Sequence, residues 1–225
     1  MEWLWVVLPV GAYFTFLFCA ALFEKKFVRS YGAEPLITSS VQLGPYLSKV
    51  YRSACASGLA DCRFFRHQKY DLTGAFWFTP EKDILVYSGE GKVAKMPAKQ
   101  TWIYSCLGNG RILVTTDNFD EGDPSGLTEF KRIIDVPLDK LLGAHRKRVE
   151  NEMALISPFN NTIGPDALAA MAHERVGKLL ELGRAQWVDP AQTQWRYTPK
   201  GALFVCLGSV TQFLTGLTQF WKFIK

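Results

Sequence analysis

The chain has 225 residues, room for one or two small domains with a buried core. With 48% hydrophobic and 21% charged residues it has the composition neither of a disordered segment nor of a polytopic membrane bundle. A net charge of +5 is too mild for a dedicated nucleic-acid binder, and five cysteines without C-x-x-C spacing fit neither a zinc site nor a disulfide framework.

From Trp3 to Phe23 no residue is charged. About 21 residues at 1.5 Å rise give roughly 31 Å, the thickness of a hydrocarbon core, so residues 1–24 are expected to form a transmembrane anchor. Trp3 and Trp5 stand at its leading end, where indole rings favour the headgroup region, and Lys25, Lys26 and Arg29 close its trailing end. No Lys or Arg precedes the stretch, so the bias of positive charge places the following residues on the cytoplasmic side. The stretch also lacks the basic start and the A-x-A site of a cleaved signal peptide.

Residues 25–45, with Gly32, Pro35, Gly44 and Pro45, read as a connector. Tyr46, Leu47, Val50, Tyr51 and Ala54 recur at three- and four-residue steps, which predicts a helix stopped at Gly58. Short β-rich runs follow at 62–67, 72–79, 84–88, 101–107 and 111–116. Pro80-Glu81-Lys82-Asp83 joins the second and third runs, Gly89-Glu90-Gly91 is expected to end the third, and Gly108-Asn109-Gly110 signals a hairpin. Such short connections predict an antiparallel meander with one face against the 46–54 helix. A turn-rich acidic loop at 117–126 is expected to be solvated, and a helix is expected from Leu138 to Asn151. The expected fold class is therefore α+β, with residues 46–152 as one antiparallel β-meander domain flanked by helices.

Residues 153–201 form a smaller module. A helix opens at Pro165-Asp166 and ends at Gly183, and two strands, 184–188 and 194–198, flank an Asp189-Pro190 turn. The sequence Lys178-Leu179-Leu180-Glu181-Leu182-Gly183, the strand from Ala185 to Val188, and Trp195-Arg196-Tyr197-Thr198-Pro199-Lys200-Gly201 resemble the recognition helix and wing of winged-helix domains. The resemblance covers about 40 residues. It implies a helix and wing, and a membrane-tethered DNA-binding regulator is the function it would carry. The helix lacks a strong basic face, so a module of that shape that does not read DNA is the expectation.

Residues 202–225 form a membrane-seeking helix. Thr211, Thr215, Thr218 and Lys222 make a polar stripe opposite Leu203, Leu207, Val210, Leu214, Leu217 and Trp221, which predicts an amphipathic helix in the interface, with a second transmembrane helix as the alternative. In the interfacial reading Trp221, Lys222 and Lys225 meet the headgroups.

Candidates for chemistry are sparse. The carboxylates Asp117, Asp120, Glu121 and Asp123 lack the register of a calcium loop, and His67, His145 and His173 have no second ligand at metal spacing. No cofactor or metal is expected. His145-Arg146-Lys147-Arg148 is a basic run on a helix, where Arg146, Lys147 and Arg148 are candidates for anionic lipid. The expected function is a membrane-anchored binding or scaffolding module at the cytoplasmic face, with the lipid bilayer and a protein as partners. An enzyme would need Asp117, Asp123 and His67 or Cys106 to converge near the acidic loop.

Overall fold

The computed structural model describes residues 4–27, 33–35, 43–67, 71–93, 96–118, 123–134, 136–152, 155–160, 164–192 and 194–208. In chain order these form α1 (Leu4–Phe23), β1 (Lys26–Phe27), β2 (Ala33–Pro35), α2 (Pro45–Ala56), β3 (Ala60–His67), β4 (Asp71–Phe78), β5 (Leu85–Val93) and β6 (Met96–Leu107). There follow β7 (Ile112–Thr116), β8 (Thr128–Arg132), α3 (Leu138–Asn151), β9 (Ile156–Ser157), α4 (Gly164–Glu181), β10 (Ala185–Trp187) and β11 (Gln194–Tyr197). A fifth helix, α5, covers residues 199–208. The fold is α+β.

The chain divides into two compact units. The larger takes the described residues of Arg29–Asp120 and Leu127–Met171, and the smaller those of Met1–Val28, Glu121–Gly126 and Ala172–Lys225. Residues expected to be a connector thus contribute a strand to each sheet: β1 pairs with β11 in the smaller unit and β2 with β3 in the larger.

In the larger unit the strands run in the order β2-β3-β4-β5-β6-β7-β8, with β9 on β6. Strand alternation divides the large side chains between the two faces. Phe64, Ala75, Trp77, Val86 and Ile103 form one core with Leu47, Val50 and Ala54 of α2 and Leu138, Leu141 and Leu142 of α3. Phe65, Phe76, Phe78, Leu85, Tyr87 and Val114 form the other, with Phe159 and with Ala167, Leu168 and Met171 from the first half of α4. Trp77, Phe78, Leu85 and Ile103 are fully enclosed, and burial of each such side chain contributes roughly 1.5–3 kcal/mol.

The expected turns hold. Gly110 takes φ +80 in the β6–β7 hairpin, with its N–H on the Leu107 carbonyl at 2.9 Å, and Lys82 takes φ +57 between β4 and β5. Two expectations fail. Gly89-Glu90-Gly91 does not end β5, which continues to Val93 against both β4 and β6. A Cβ at Gly91 would strike the Asp71 carbonyl of β4, so this glycine serves a close strand approach instead of a turn. The meander is also incomplete, because β8 lies parallel to β7.

The smaller unit holds a three-stranded sheet in the order β1-β11-β10. Its core gathers Ala21 from α1, Val176 and Leu179 from the second half of α4, Ala185, Trp195 and Tyr197 from the hairpin, and Ala202 from α5. Gly183, at φ +63, ends the α4 segment as its sequence predicts.

Candidate functional site

In the smaller unit α1 presents two kinds of surface. Its last turns are docked, with Ala21 buried and Phe18 and Leu22 packed on the same core. Tyr13, Phe16 and Phe23 are exposed, Phe16 at 68%. The Thr15 hydroxyl donates to the Gly11 carbonyl at 2.9 Å, so the helix satisfies this polar group itself. Among the described residues no helix is long and apolar enough to cross a membrane. Side chains of α1 are described from Gly11 onward, and its backbone is helical from Leu4.

Of the expected anchor residues, Lys25 is exposed, whereas Lys26 pairs with Glu24 at 3.3 Å and lies 5.3 Å from the centre of the Tyr197 ring. Trp3, Arg29, Trp221, Lys222 and Lys225 lie outside the described residues, as does the side chain of Trp5.

Asp120 and Glu121 of the acidic loop lie outside the described residues, but its two described carboxylates, Asp117 and Asp123, are bonded within the fold. Asp123 has no exposed side-chain surface and accepts from Arg175 Nη2 at 3.2 Å. Its two carboxylate oxygens also receive the Ser125 N–H at 2.9 Å and the Ser125 hydroxyl at 2.5 Å, the bonding that makes Asp-Pro-Ser-Gly a stable turn. Arg184 donates to the Pro124 carbonyl and stacks on Phe204, its guanidinium carbon 3.7 Å from the ring centre. The cations of the recognition-like helix are thus engaged within the protein, with Lys178 on Glu181 at 2.9 Å.

The basic run on α3 splits by helical geometry. Leu138, Leu141, Leu142, His145 and Val149 are buried along one face, and Arg148, three residues after His145, lies on the same side. Arg146 and Lys147 are exposed. Arg148 is engaged within the larger unit: it donates to the Val114 carbonyl at 2.6 Å and to Thr115 Oγ1 at 3.0 Å, and pairs with Glu129 at 3.1 Å.

His145, Ser105 and Thr115 form a buried chain. Ser105 Oγ lies 2.8 Å from the Asp83 carbonyl and 3.1 Å from His145 Nε2, and Thr115 Oγ1 lies 2.9 Å from His145 Nδ1. The single hydroxyl proton of Ser105 goes to the carbonyl, so Nε2 donates to Ser105, Nδ1 accepts from Thr115, and Thr115 accepts from Arg148. Burial, and then the neighbouring Arg148 charge, push His145 down to about 3, which keeps the ring neutral.

A second polar group surrounds the start of α2. Tyr46 OH donates to Asp117 Oδ2 at 2.9 Å and lies 2.7 Å from Thr101 Oγ1, while the Thr101 N–H donates to Asp117 Oδ1 at 2.6 Å. Burial above all, then the Asp117 charge, push Tyr46 up to about 12 against a partial offset from the Thr101 bond. Glu90 accepts the Tyr46 N–H at 3.1 Å and so caps α2 from the neighbouring sheet, where no side chain of the local sequence does.

Of the residues an enzyme would need, Asp117 and Asp123 are engaged in separate polar groups. Asp117 belongs to the Tyr46 group in the larger unit and Asp123 to the Arg175 pair in the smaller. Cys106 sits part-buried against the second core, and the His67 side chain lies outside the described residues. Burial, and then Cys55, push the Cys62 thiol up to about 12, so it stays protonated. Among the described residues no group of three His, Cys, Asp or Glu could hold a metal ion.

Sequence reading missed His145, Arg184 and Glu90. The spacing 138, 141, 142, 145, 149 carried the signal for His145, which adjacent charges obscured. Arg184 and Glu90 act across the fold and leave no local pattern. No family model, no curated protein and no solved structure matches the chain.

Proposed function

We propose that the protein is a membrane-anchored binding or scaffolding module, held by α1 with its larger unit on the cytoplasmic side. The observation that carries this reading is α1 itself: a helix of 20 residues without a charge, docked at its end and showing Tyr13, Phe16 and Phe23 outward. Large apolar side chains exposed together on one helix mark a surface that meets lipid or a partner. The absence of charge along the whole helix favours lipid. Lys25 and Lys26 follow it directly, at the height where cations meet headgroups. Arg146 and Lys147 are the exposed cations offered to anionic lipid from the larger unit.

The polar groups of the larger unit fit a binding role better than catalysis, because the Ser105 proton is directed to a carbonyl and the His145 ring is enclosed. A protein partner is the expected ligand. DNA has less in its favour, since Arg175 and Lys178 are already paired.

Alkaline carbonate extraction of membranes carrying the full-length protein tests the reading. Retention in the pellet is the expected result, and release into the supernatant overturns it. Cross-linking in intact cells, followed by detergent purification and mass spectrometry, then identifies the partner.

A further inference from the structure

We infer that Cys55 and Cys62 are a reversible redox pair, two thiols that close to a disulfide when the protein meets a peroxide. The pair lies within the larger unit and does not rest on the membrane reading of α1. The end of α2 brings the two cysteines together. Gly58 takes φ +75, and the N–H groups of Gly58 and Leu59 bond to the Cys55 and Ala54 carbonyls at 3.2 and 3.1 Å, so the chain reverses directly into β3. Ala60 then pairs with Phe78 and Arg63 with Phe76, an advance of three residues on β3 against two on β4. The extra residue makes a bulge at Asp61, itself at φ +52, and Cys62, and such a bulge re-aims a side chain.

Shared neighbours place both thiols at one spot. Cys62 packs on the core between α2 and the sheet, and so does Tyr51. The centre of the Tyr51 ring lies 5.7 Å from that of Phe64 and 6.5 Å from that of Trp77. Cys55 follows Tyr51 by four residues, on the same face of α2, and the Tyr51 hydroxyl and the Cys55 thiol are hydrogen-bonded. A negative charge on Cys55 is in turn felt at Cys62. Trp77 supplies an independent sign. Its indole N–H is fully enclosed without a partner at bonding geometry, and the group it acts on is the Cys62 sulfur. A buried donor left open in this way calls for an acceptor. It favours the ionised sulfur, the form in which Cys62 attacks.

Access sets the order of events. Cys55 is exposed, whereas Cys62 is half-buried and its thiol is held protonated, so peroxide reaches Cys55 first. The Cys55 sulfur attacks one peroxide oxygen and the O–O bond breaks. The departing hydroxide takes the Cys55 proton and leaves as water, and Cys55 becomes a sulfenic acid. The Cys62 sulfur then attacks the Cys55 sulfur: the S–S bond forms, the S–O bond breaks, and the hydroxyl leaves with the Cys62 proton as a second water. Two thiols have lost two electrons and one peroxide has become two waters. Glutathione reopens the pair by thiol–disulfide exchange, to which an exposed disulfide is open. A single pair of this kind is no disulfide framework, which the spacing of the five cysteines excludes.

Trypsin cuts after Arg52 and Arg63, so residues 53–63 form one peptide that carries both cysteines and no other. The full-length protein in detergent is treated with hydrogen peroxide, unfolded, alkylated, digested and read by mass spectrometry. The expected result is a 53–63 peptide two hydrogens lighter than the reduced one and closed to alkylation until a reductant is added. Titration with glutathione then separates a pair held by the fold from closeness in sequence. The disulfide is expected to stay closed at a several-fold more reducing glutathione ratio in the folded protein than in guanidinium chloride. Cys55 oxidised to sulfinic acid with Cys62 still alkylated overturns the pair, and so does a peptide alkylated at both cysteines after peroxide. A glutathione midpoint no more reducing in the folded protein than in the unfolded one overturns it as well, because the fold then does not hold the two thiols in place.

Discussion

His145 Nε2 lies 3.1 Å from the Ser105 hydroxyl, the separation of a base from its nucleophile, yet the hydroxyl proton is directed to the Asp83 carbonyl 2.8 Å away. The pair joins α3 to the sheet. Replacement of Ser105 by Ala would leave the buried His145 N–H without an acceptor and cost about 1–3 kcal/mol, read as a lower melting temperature of the full-length protein in detergent. A fluorophosphonate probe is expected to leave Ser105 unlabelled, and labelling would contradict the assigned proton.

The neutral ring also sets a pH dependence. His145 is held down at about 3, below its ordinary 6.5, so the unfolded chain takes up a proton that the folded one refuses. Its contribution to stability is complete above pH 6.5 and is lost as pH falls towards 3, at about 1.4 kcal/mol per pH unit. Denaturant melts between pH 7 and pH 4.5 check this: a His145→Gln variant, though weaker at pH 7, is expected to show a shallower slope over that interval.

Asp123 and Arg175 make the corresponding test in the smaller unit. Asp123→Ala removes a buried carboxylate that receives three described hydrogen bonds, and a loss of about 2–3 kcal/mol is expected. Arg175→Met, with a side chain that is one-third exposed, is expected to cost less. Combining the two should cost less than the sum of the single losses, because each single variant strands its partner.

At Gly201 a Cβ would run into the Arg184 carbonyl where α5 begins. Gly201→Ala is therefore expected to destabilise the smaller unit by about 1–3 kcal/mol, although alanine favours helices. Circular dichroism melts of the detergent-solubilised protein measure it, and an unchanged or raised melting temperature contradicts the close approach.

Much of the larger unit was legible because its signals are local. Gly108-Asn109-Gly110 and Pro80-Glu81-Lys82-Asp83 specify turns by their own chemistry, and the steps from Leu47 to Ala54 specify the face of α2. The pairing of β1 with β11 was not legible, since it joins Lys26 to Trp195 and depends on the closing of a long intervening segment. Nor was β8, whose Thr-Glu-Phe-Lys-Arg sequence is half-exposed at a sheet edge and lacks the apolar alternation of a strand. Asp123 was read as solvated because a run of acidic residues with Pro and Gly favours an exposed loop; its burial depends on Arg175, 52 residues away. The polar groups around His145 and Tyr46 follow the same rule, each built from strands and helices distant in sequence.

The membrane account turns most directly on Phe16, exposed on α1. In water, Phe16→Arg would add a charge to a solvated surface at almost no cost; within a bilayer an arginine on a spanning helix costs about 2.5–3.5 kcal/mol. Flotation of the full-length protein and of the Phe16→Arg variant on a density gradient, after alkaline washing of the membranes, separates the two cases. The account predicts that the parent chain floats with the membranes and that the variant floats in a smaller fraction. A parent chain that stays at the bottom with the soluble proteins would contradict it.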